Sequence, residues 1–302
     1  MNTVTAQDTL APTAETFLRA VELTAVEPQF HDEAYEAATQ YVPWPKAYGG
    51  DMVAQAAAAM MRSVGEDRQL HSMHSYFMRP VDIGAVVRYE VEKLRDGRGY
   101  STRSVRGWQD GKTVFAAMGS FQVPEDGPEF QPDMPAAVDP DSLRSAADVL
   151  AGVEGDAAAY WSRGRSFDMR HVPGPVYVQI EGEQVPQQAV WVKAFGQLPD
   201  QADGRATRDL HRTALAYVCD YTILEPILRA QGHYWAEPGL VTASLDHSMW
   251  FHRDGRLDDW VLYAQEAVSG QRNRGLATGR FFDRDGRLLA TVAQEGMIRA
   301  AR

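Results

Sequence analysis

A single cysteine in 302 residues, Cys219, leaves no partner for an internal disulfide and no set of thiolates for a zinc site. Such sparing use of cysteine fits a reducing compartment. No stretch approaches the ~20 consecutive apolar residues that a membrane span requires, so no membrane partner is expected. The opening MNTVTAQDTLAPTAE lacks the basic start and apolar run of a secretion signal, and a cytoplasmic location is expected. Positive charge is scarce as well: 30 Lys and Arg stand against 41 Asp and Glu, a formal net charge of −11. Clustered cations are what release counterions from nucleic acid, so no nucleic-acid partner is expected. A local group of arginines on an acidic protein can still hold a phosphate.

What the chain does contain is an ordinary globular composition, 44% hydrophobic and 24% charged, and a pattern that occurs twice. HSYFMRP (74–80) is echoed by HSMWFHR (247–253). Further on, QDGKTVFAAMGSFQV (109–123) is echoed by RDGRLLATVAQEGMI (284–298), each with an Asp-Gly hairpin signal ahead of a strand-like run. Long alternating stretches broken by a Gly-containing turn lie between these landmarks. Ahead of each strand set is one helix-like segment. The first is GGDMVAQAAAAMMRSV (49–64), apolar nearly all round and so buried on most sides. The second is DLHRTALAYVCDYTILEPIL (209–228). The expected architecture is α+β: two tandem repeats, each an antiparallel sheet wrapped around a buried helix. The expected division is a tail and helix start at 1–20, repeat 1 at 21–127, a Pro- and Ala-rich linker at 128–165, and repeat 2 at 166–302.

The segments YGGDMVAQAAAA, LHSMHSYFMRP, LRDGRGYSTR, ALAYVCDYTIL, LDHSMWFHR and TVAQEGMIR, taken in that order, resemble the type II acyl-CoA thioesterase family of double hotdog proteins. The resemblance spans about residues 40–300 and leaves out the linker. It implies hydrolysis of fatty acyl-CoA to free acid and CoA, with no metal or organic cofactor. It also implies a catalytic Asp, a Thr or Ser, and a Gln, which fall on Asp220, Ser244 and Gln294. Serine at 244 replaces the threonine of the best-known pattern; the hydroxyl is kept, but not the methyl that restricts its rotamer.

The residues themselves add constraints. Read as one strand, ASLDHSMWFHR (243–253) places Ser244, Asp246, Ser248, Trp250 and His252 on one face and His247 on the other. A local Ser–His–Asp triad is thereby excluded, and cross-strand hydrogen bonding is the reading for His247, Ser248 and His252. No second ligand cluster supports a metal at this stretch. Gln294 shares its strand face with Leu288, Ala290, Val292 and Ile298, so a buried amide is expected, serving a backbone group or a ligand. Gly119 is its counterpart in the first repeat. Asp220 lies in an apolar run, either held by a cation or a cap, or acting as a general base. Cys219 reads as a small core residue.

Gly49 and Gly50, at the start of the first helix, are either a plain turn or the donors of an oxyanion hole, since N–H groups at a helix start are unpaired. Met52, Met60 and Met61 are core residues or an adaptable acyl-chain surface. Arg272, Arg274 and Arg280 are candidates for the CoA phosphates, with Arg98 and Arg103 as first-repeat counterparts. Two other functions fit the fold: a hotdog enoyl-CoA hydratase and a non-catalytic acyl-CoA-binding protein. The first resembles an Asp followed closely by His on the helix, whereas Asp220 is followed by Tyr-Thr-Ile-Leu-Glu. Assembly into a homo-oligomer is also expected, because open sheet edges and faces favour association.

Overall fold

A computed structural model of the chain describes residues 13–201 and 203–301, so the first twelve residues of the expected tail lie outside the described residues. The first half runs α1 (Glu15–Ala20), β1 (Thr24–Val26), β2 (Glu33–Ala38), α2 (Gly49–Arg62), β3 (Gln69–Phe77), β4 (Val86–Asp96), β5 (Tyr100–Gln109) and β6 (Lys112–Gln122). Short helices α3 (Ala146–Val149) and α4 (Asp156–Ala159) follow. The second half contributes β7 (Phe167–His171), β8 (Gln187–Ala194), α5 (Gly204–Val218), α6 (Glu225–Gln231), β9 (Val241–Ser244), β10 (Asp246–Phe251), β11 (Val261–Gln271), β12 (Arg274–Asp283) and β13 (Leu288–Arg299).

The hairpins follow from local chemistry. Asp110 and Gly111, with φ of 49° and 71°, form the two-residue left-handed turn that matches the twist of β5 and β6. The long β11–β12 hairpin, the second-half counterpart of β4–β5, turns at Arg272 and Asn273, φ 52° and 59°. Its glycines, Gly270 and Gly275, lie inside the paired strands. The expected Gly-containing turn is therefore displaced onto a residue pair in which asparagine tolerates the left-handed region.

All thirteen strands belong to one antiparallel sheet in the order β1-β2-β4-β5-β6-β3-β10-β13-β12-β11-β8-β7, with β9 also on β13. Read from its two edges inward, this order is the same pattern twice, and the copies meet at β3 and β10. The two His-Ser landmarks pair with each other there: His74 lies opposite Ser248, and Ser75 opposite His247. This is the double hotdog architecture, with α2 buried against β3, β4, β5 and β6.

The helix expected over 209–228 is two helices. α5 ends at Val218, six residues turn, and α6 begins with Pro226 in its first turn. Proline lacks the N–H that a continuous helix needs and is accommodated at a helix start. α5 packs along α2, and α6 packs on β8, β11 and β12. Asp220 thus stands in the turn between two helices, not on a helix face. Residues 131–143 cross the outer face of the second half, where Met134, Ala137 and Leu143 cover Trp191, Trp260, Leu262, Phe282 and Leu288.

A buried carboxylate fastens α6 to the sheet edge. Glu225 accepts hydrogen bonds from Gln188 Nε2 at 2.7 Å and Trp235 Nε1 at 3.0 Å, and His171 Nε2 lies 2.9 Å away. Burial works against its charge, but these partners hold its carboxyl below the usual range. Removing one partner of such a cluster strands the others without water. Glu225→Ala is expected to destabilise the fold by roughly 3–5 kcal/mol in denaturant titrations; a loss within experimental error would contradict this anchoring role.

Candidate active site

The site is assembled where α2 begins and α5 ends. Tyr48-Gly49-Gly50-Asp51 and Tyr217-Val218-Cys219-Asp220 share one spacing and face each other. The Tyr48 hydroxyl donates to the Tyr217 carbonyl at 2.6 Å, and the Tyr48 ring stacks on Tyr221 at 4.5 Å. A Cβ on Gly50 would stand 2.3 Å from the Tyr217 carbonyl oxygen, and one on Gly49 would stand 2.6 Å from Asp220 Oδ2. Only glycine lets the start of α2 come so near a carboxylate.

Of the three polar residues anticipated from the resemblance, two converge on one oxygen of the third. Ser244 Oγ donates to Asp220 Oδ1 at 2.9 Å, and Gln294 Nε2 donates to the same atom at 2.6 Å. Gln294 Nε2 also donates to Ser244 Oγ at 3.0 Å, closing a triangle. Gln294 is fully buried on the inner face of β13, as its alternation with Val292 and Ile298 predicts. Among the described residues Asp220 Oδ2 takes no side-chain hydrogen bond, and it faces the two glycines. Burial raises the Asp220 pKa above the ordinary carboxylate value. Gln294, Ser244, the Lys46 ammonium and the Gly50 N–H pull the other way.

One local reading is corrected. Ser244 and His247 do not lie on opposite faces. Ser244 is opposite Gly296 and Ser248 is opposite Ala293, so four steps on one strand meet three on the other. The extra residue, beside Leu245, is a β-bulge that reverses the alternation. Ser244 and His247 consequently both reach Gln294. His247 is buried; its Nδ1 lies 3.0 Å from Gln294 Oε1 and its Nε2 3.5 Å from Cys219 Sγ. Burial pushes its pKa down to about 4, with the Gln294 contact opposing, so the ring is neutral near neutral pH.

Lys46 is a second residue that sequence reading missed. Its ammonium donates to the Thr242 carbonyl at 2.7 Å and its charge acts on Asp220. No local pattern marks it; the signal that was available is its place three residues before Gly49. The arginine candidates are not gathered at the site. Arg274 pairs with Glu295 at 3.1 Å, and Arg280 is exposed on the sheet face opposite Gln294, about 20 Å of strand from Arg274. Arg272 sits in the turn next to the Gly275–Gly296–Ser244 row. Arg98 is exposed in the β4–β5 turn. Arg103 is a buried structural residue that holds the Ser63 carbonyl and Asp96, which rules out a free phosphate contact. Met52, Met60 and Met61 are all buried in the core.

The first half carries no equal of the trio. Met73 lies opposite Gly119, where the second half has His247 beside Gln294. Asp51, the counterpart of Asp220, is fully buried: its Oδ2 accepts the Gln40 N–H at 2.8 Å, and its Oδ1 has no partner among the described residues. Burial pushes its pKa up to about 7, against the Gln40 N–H and the Tyr217 hydroxyl, with the Asp220 charge adding to the rise.

The fold has solved counterparts. A solved hot dog fold protein of unknown function from Alicyclobacillus acidocaldarius superposes with a TM-score of 0.72 over 95% of this chain and 98% of that one, at 18% identity. Family membership comes from sequence. The model described as acyl-CoA thioesterase matches residues 163–297, and the acyl-CoA thioesterase N-terminal domain matches residues 40–122. Acyl-coenzyme A thioesterase 8 of Homo sapiens is 34% identical over 93% of this chain and 90% of its own length. Acyl-CoA thioesterase 2 of Haemophilus influenzae is 34% identical over 89% and 93%. The crystal structure of acyl-CoA thioesterase II TesB2 from Mycobacterium marinum is 31% identical, with a TM-score of 0.73 over 94% and 98%. The chain belongs to the acyl-CoA thioesterase family.

The position of Asp51 has a measurable consequence. A carboxyl whose folded pKa exceeds its unfolded value takes up a proton on folding. Its stabilising contribution is complete in acid and is lost as pH rises through about 7. Asp51→Asn is expected to raise the melting temperature at pH 8, and the gain is expected to shrink towards pH 4. An equal gain at both pH values would refute the assignment.

Proposed function

We propose that the protein hydrolyses fatty acyl-CoA thioesters to free fatty acid and CoA, with Asp220 as general base and Ser244 and Gln294 orienting the water. The observation that carries this reading is the closed triangle on Asp220 Oδ1, which leaves Oδ2 directed at the start of α2. Water oxygen attacks the thioester carbonyl carbon while Asp220 takes one of its protons. The oxyanion is met by N–H groups at Gly49 and Gly50; the Gly50 N–H also supports the Asp220 carboxylate, so Gly49 is the freer donor. Collapse breaks the C–S bond, and the proton on Asp220 passes to the departing CoA thiolate. Holding nucleophile, base and carbonyl in one frame removes several kcal/mol of barrier.

The same reading extends to the whole chain. The repeated strand order supports a division into repeats at 21–127 and 166–302, with the linker between them. Thioester hydrolysis of this class supports a role in fatty acid metabolism. The lone buried Cys219 supports a cytoplasmic setting; no described helix is long and apolar enough to cross a membrane. Exposed Tyr76, Met118 and Trp250 on the outer face of the β3–β10 seam support a homo-oligomeric contact. Among the arginines, Arg272 is best placed for a CoA phosphate, and Lys46 joins it on the same side of the site.

Release of free thiol from acyl-CoAs of graded length tests the reaction. Asp220→Ala is expected to remove turnover with the fold intact, and Ser244→Ala and Gln294→Ala to lower kcat on the order of 10²-fold. Binding of acyl-CoA without release of CoA from any chain length would instead establish a binding protein. Because burial raises the Asp220 pKa and the base must be ionised, kcat/KM should climb with pH through a limb above the ordinary carboxylate range. A limb at or below that range would remove Asp220 from the role. Arg272→Ala is expected to raise KM and Arg280→Ala to leave it unchanged; the reverse would relocate the CoA site.

A further inference from the structure

Among the buried polar groups outside the chemistry above, three lie near the site. Asp51 is sealed against Gln40, and Arg165 is enclosed by Tyr160 and Tyr221, with its guanidinium 4.4 Å from the Tyr221 ring. The third, His247, touches the trio. We propose that His247 is a positioning residue that fixes the orientation of the Gln294 amide and, through it, the placement and charge of Asp220. The proposal rests on the reading of the trio given above.

An amide is nearly symmetric in shape and opposite in polarity at its two ends. As placed, Gln294 spends one N–H on Asp220 Oδ1 at 2.6 Å and the other on Ser244 Oγ at 3.0 Å. Turned over, it would set a carbonyl oxygen against a carboxylate oxygen. What favours the working orientation from behind is the group that Oε1 meets, and that group is His247 Nδ1 at 3.0 Å. To donate, Nδ1 must carry the ring proton, which leaves Nε2 as the acceptor. Nε2 lies 3.5 Å from Cys219 Sγ, whose single thiol proton is donated to the Ala216 carbonyl at 3.1 Å. The order of donation is therefore His247 to Gln294, and Gln294 to Asp220. Backbone placement is held from β3, where Ser75 Oγ donates to the His247 carbonyl at 3.1 Å.

The first half supplies an internal comparison. Where Gln294 is replaced by Gly119, the residue opposite is Met73, which has no donor. The first-half echo of His247, His74, meets Ser248 Oγ at 3.0 Å and lies opposite Met118, so no imidazole faces the Gly119 position. Burial, which keeps His247 at one proton over the ordinary assay range, preserves the direction of the chain. His74 is the nearby charge that acts on His247. Lys46, Tyr48, Asp51, Cys219 and Tyr263 are the other titratable groups that face Asp220, and none of them is altered in the test below.

The test compares the wild-type protein with His247→Asn, His247→Gln, Gln294→Ala and the double variant His247→Gln/Gln294→Ala. Readouts are kcat, KM and the pH profile of thiol release, with melting curves alongside. Asparagine can place an N–H at the Nδ1 position, whereas glutamine places its amide near Nε2. His247→Gln is expected to lower kcat at least about tenfold with little change in KM. Its acid limb should move to higher pH, because Asp220 loses the bond from Gln294 that favours its ionised form. His247→Asn is expected to recover most of the rate and the wild-type limb, and the double variant should be no slower than Gln294→Ala alone.

Equal behaviour of the Asn and Gln variants, or losses that multiply in the double variant, would overturn the proposal. Wild-type kcat in Gln294→Ala would instead overturn the reading of the trio. A normal loss in Gln294→Ala together with wild-type rate in His247→Gln would overturn the role of His247 alone.

Discussion

Backbone pairing between β3 and β10 is the interaction on which the rest of the molecule depends. It makes one continuous sheet from two half-sheets and brings the start of α2 against the turn that follows α5. Neither half could build the site by itself. The first half contributes Gly49, Gly50 and Lys46, and the second contributes Asp220, Ser244 and Gln294. The His-Ser landmarks sit in this ladder, so the most visible echo in the sequence is also the physical joint. Side chains bridge the joint as well as backbone: His74 Nδ1 lies 3.0 Å from Ser248 Oγ, and Ser75 donates across it to the His247 carbonyl.

Three buried carboxylates differ in how their surroundings treat the charge. Glu225 is satisfied by three donors or ring nitrogens and contributes to stability, while Asp51 and Asp220 are only partly compensated and are held away from their charged forms. The contrast is one of environment, between a carboxylate with its partners in place and two with too few. A fully satisfied carboxylate anchors; an under-satisfied one facing a glycine-lined gap is poised to accept a proton.

Much of this was legible before any coordinates. The duplication, the Asp110-Gly111 turn, the buried parity of Gln294 and the nearly all-round burial of α2 follow from periodicity and turn chemistry. The break in 209–228 was also signalled, since Pro226 cannot lie inside a helix, yet the apolar run around it favours a continuous reading. A second cue is the Tyr-x-x-Asp spacing at Tyr48–Asp51, which is repeated at Tyr217–Asp220 and aligns the start of α2 with the turn after α5. The bulge beside Leu245 was not legible, because alternation assumes an unbroken partner and the extra residue appears only when β13 pairs with both β9 and β10. For the same reason His247 looked like an ordinary strand residue. Arginine count likewise says nothing of which sheet face a guanidinium occupies.

Gly119 shows why this architecture is carried on one polypeptide. A Cβ there would already stand 2.9 Å from Met60 Sδ, so the position that holds an amide in the second half admits almost nothing in the first. Gly50, in turn, has room for no side chain where Cys219 sits in its counterpart. A half-length chain pairing with its own copy would have to satisfy both sets of demands with one residue at each position, placing glutamine and glycine at the same site. Fusion of the halves removes that conflict, so each half can specialise where self-association would force compromise.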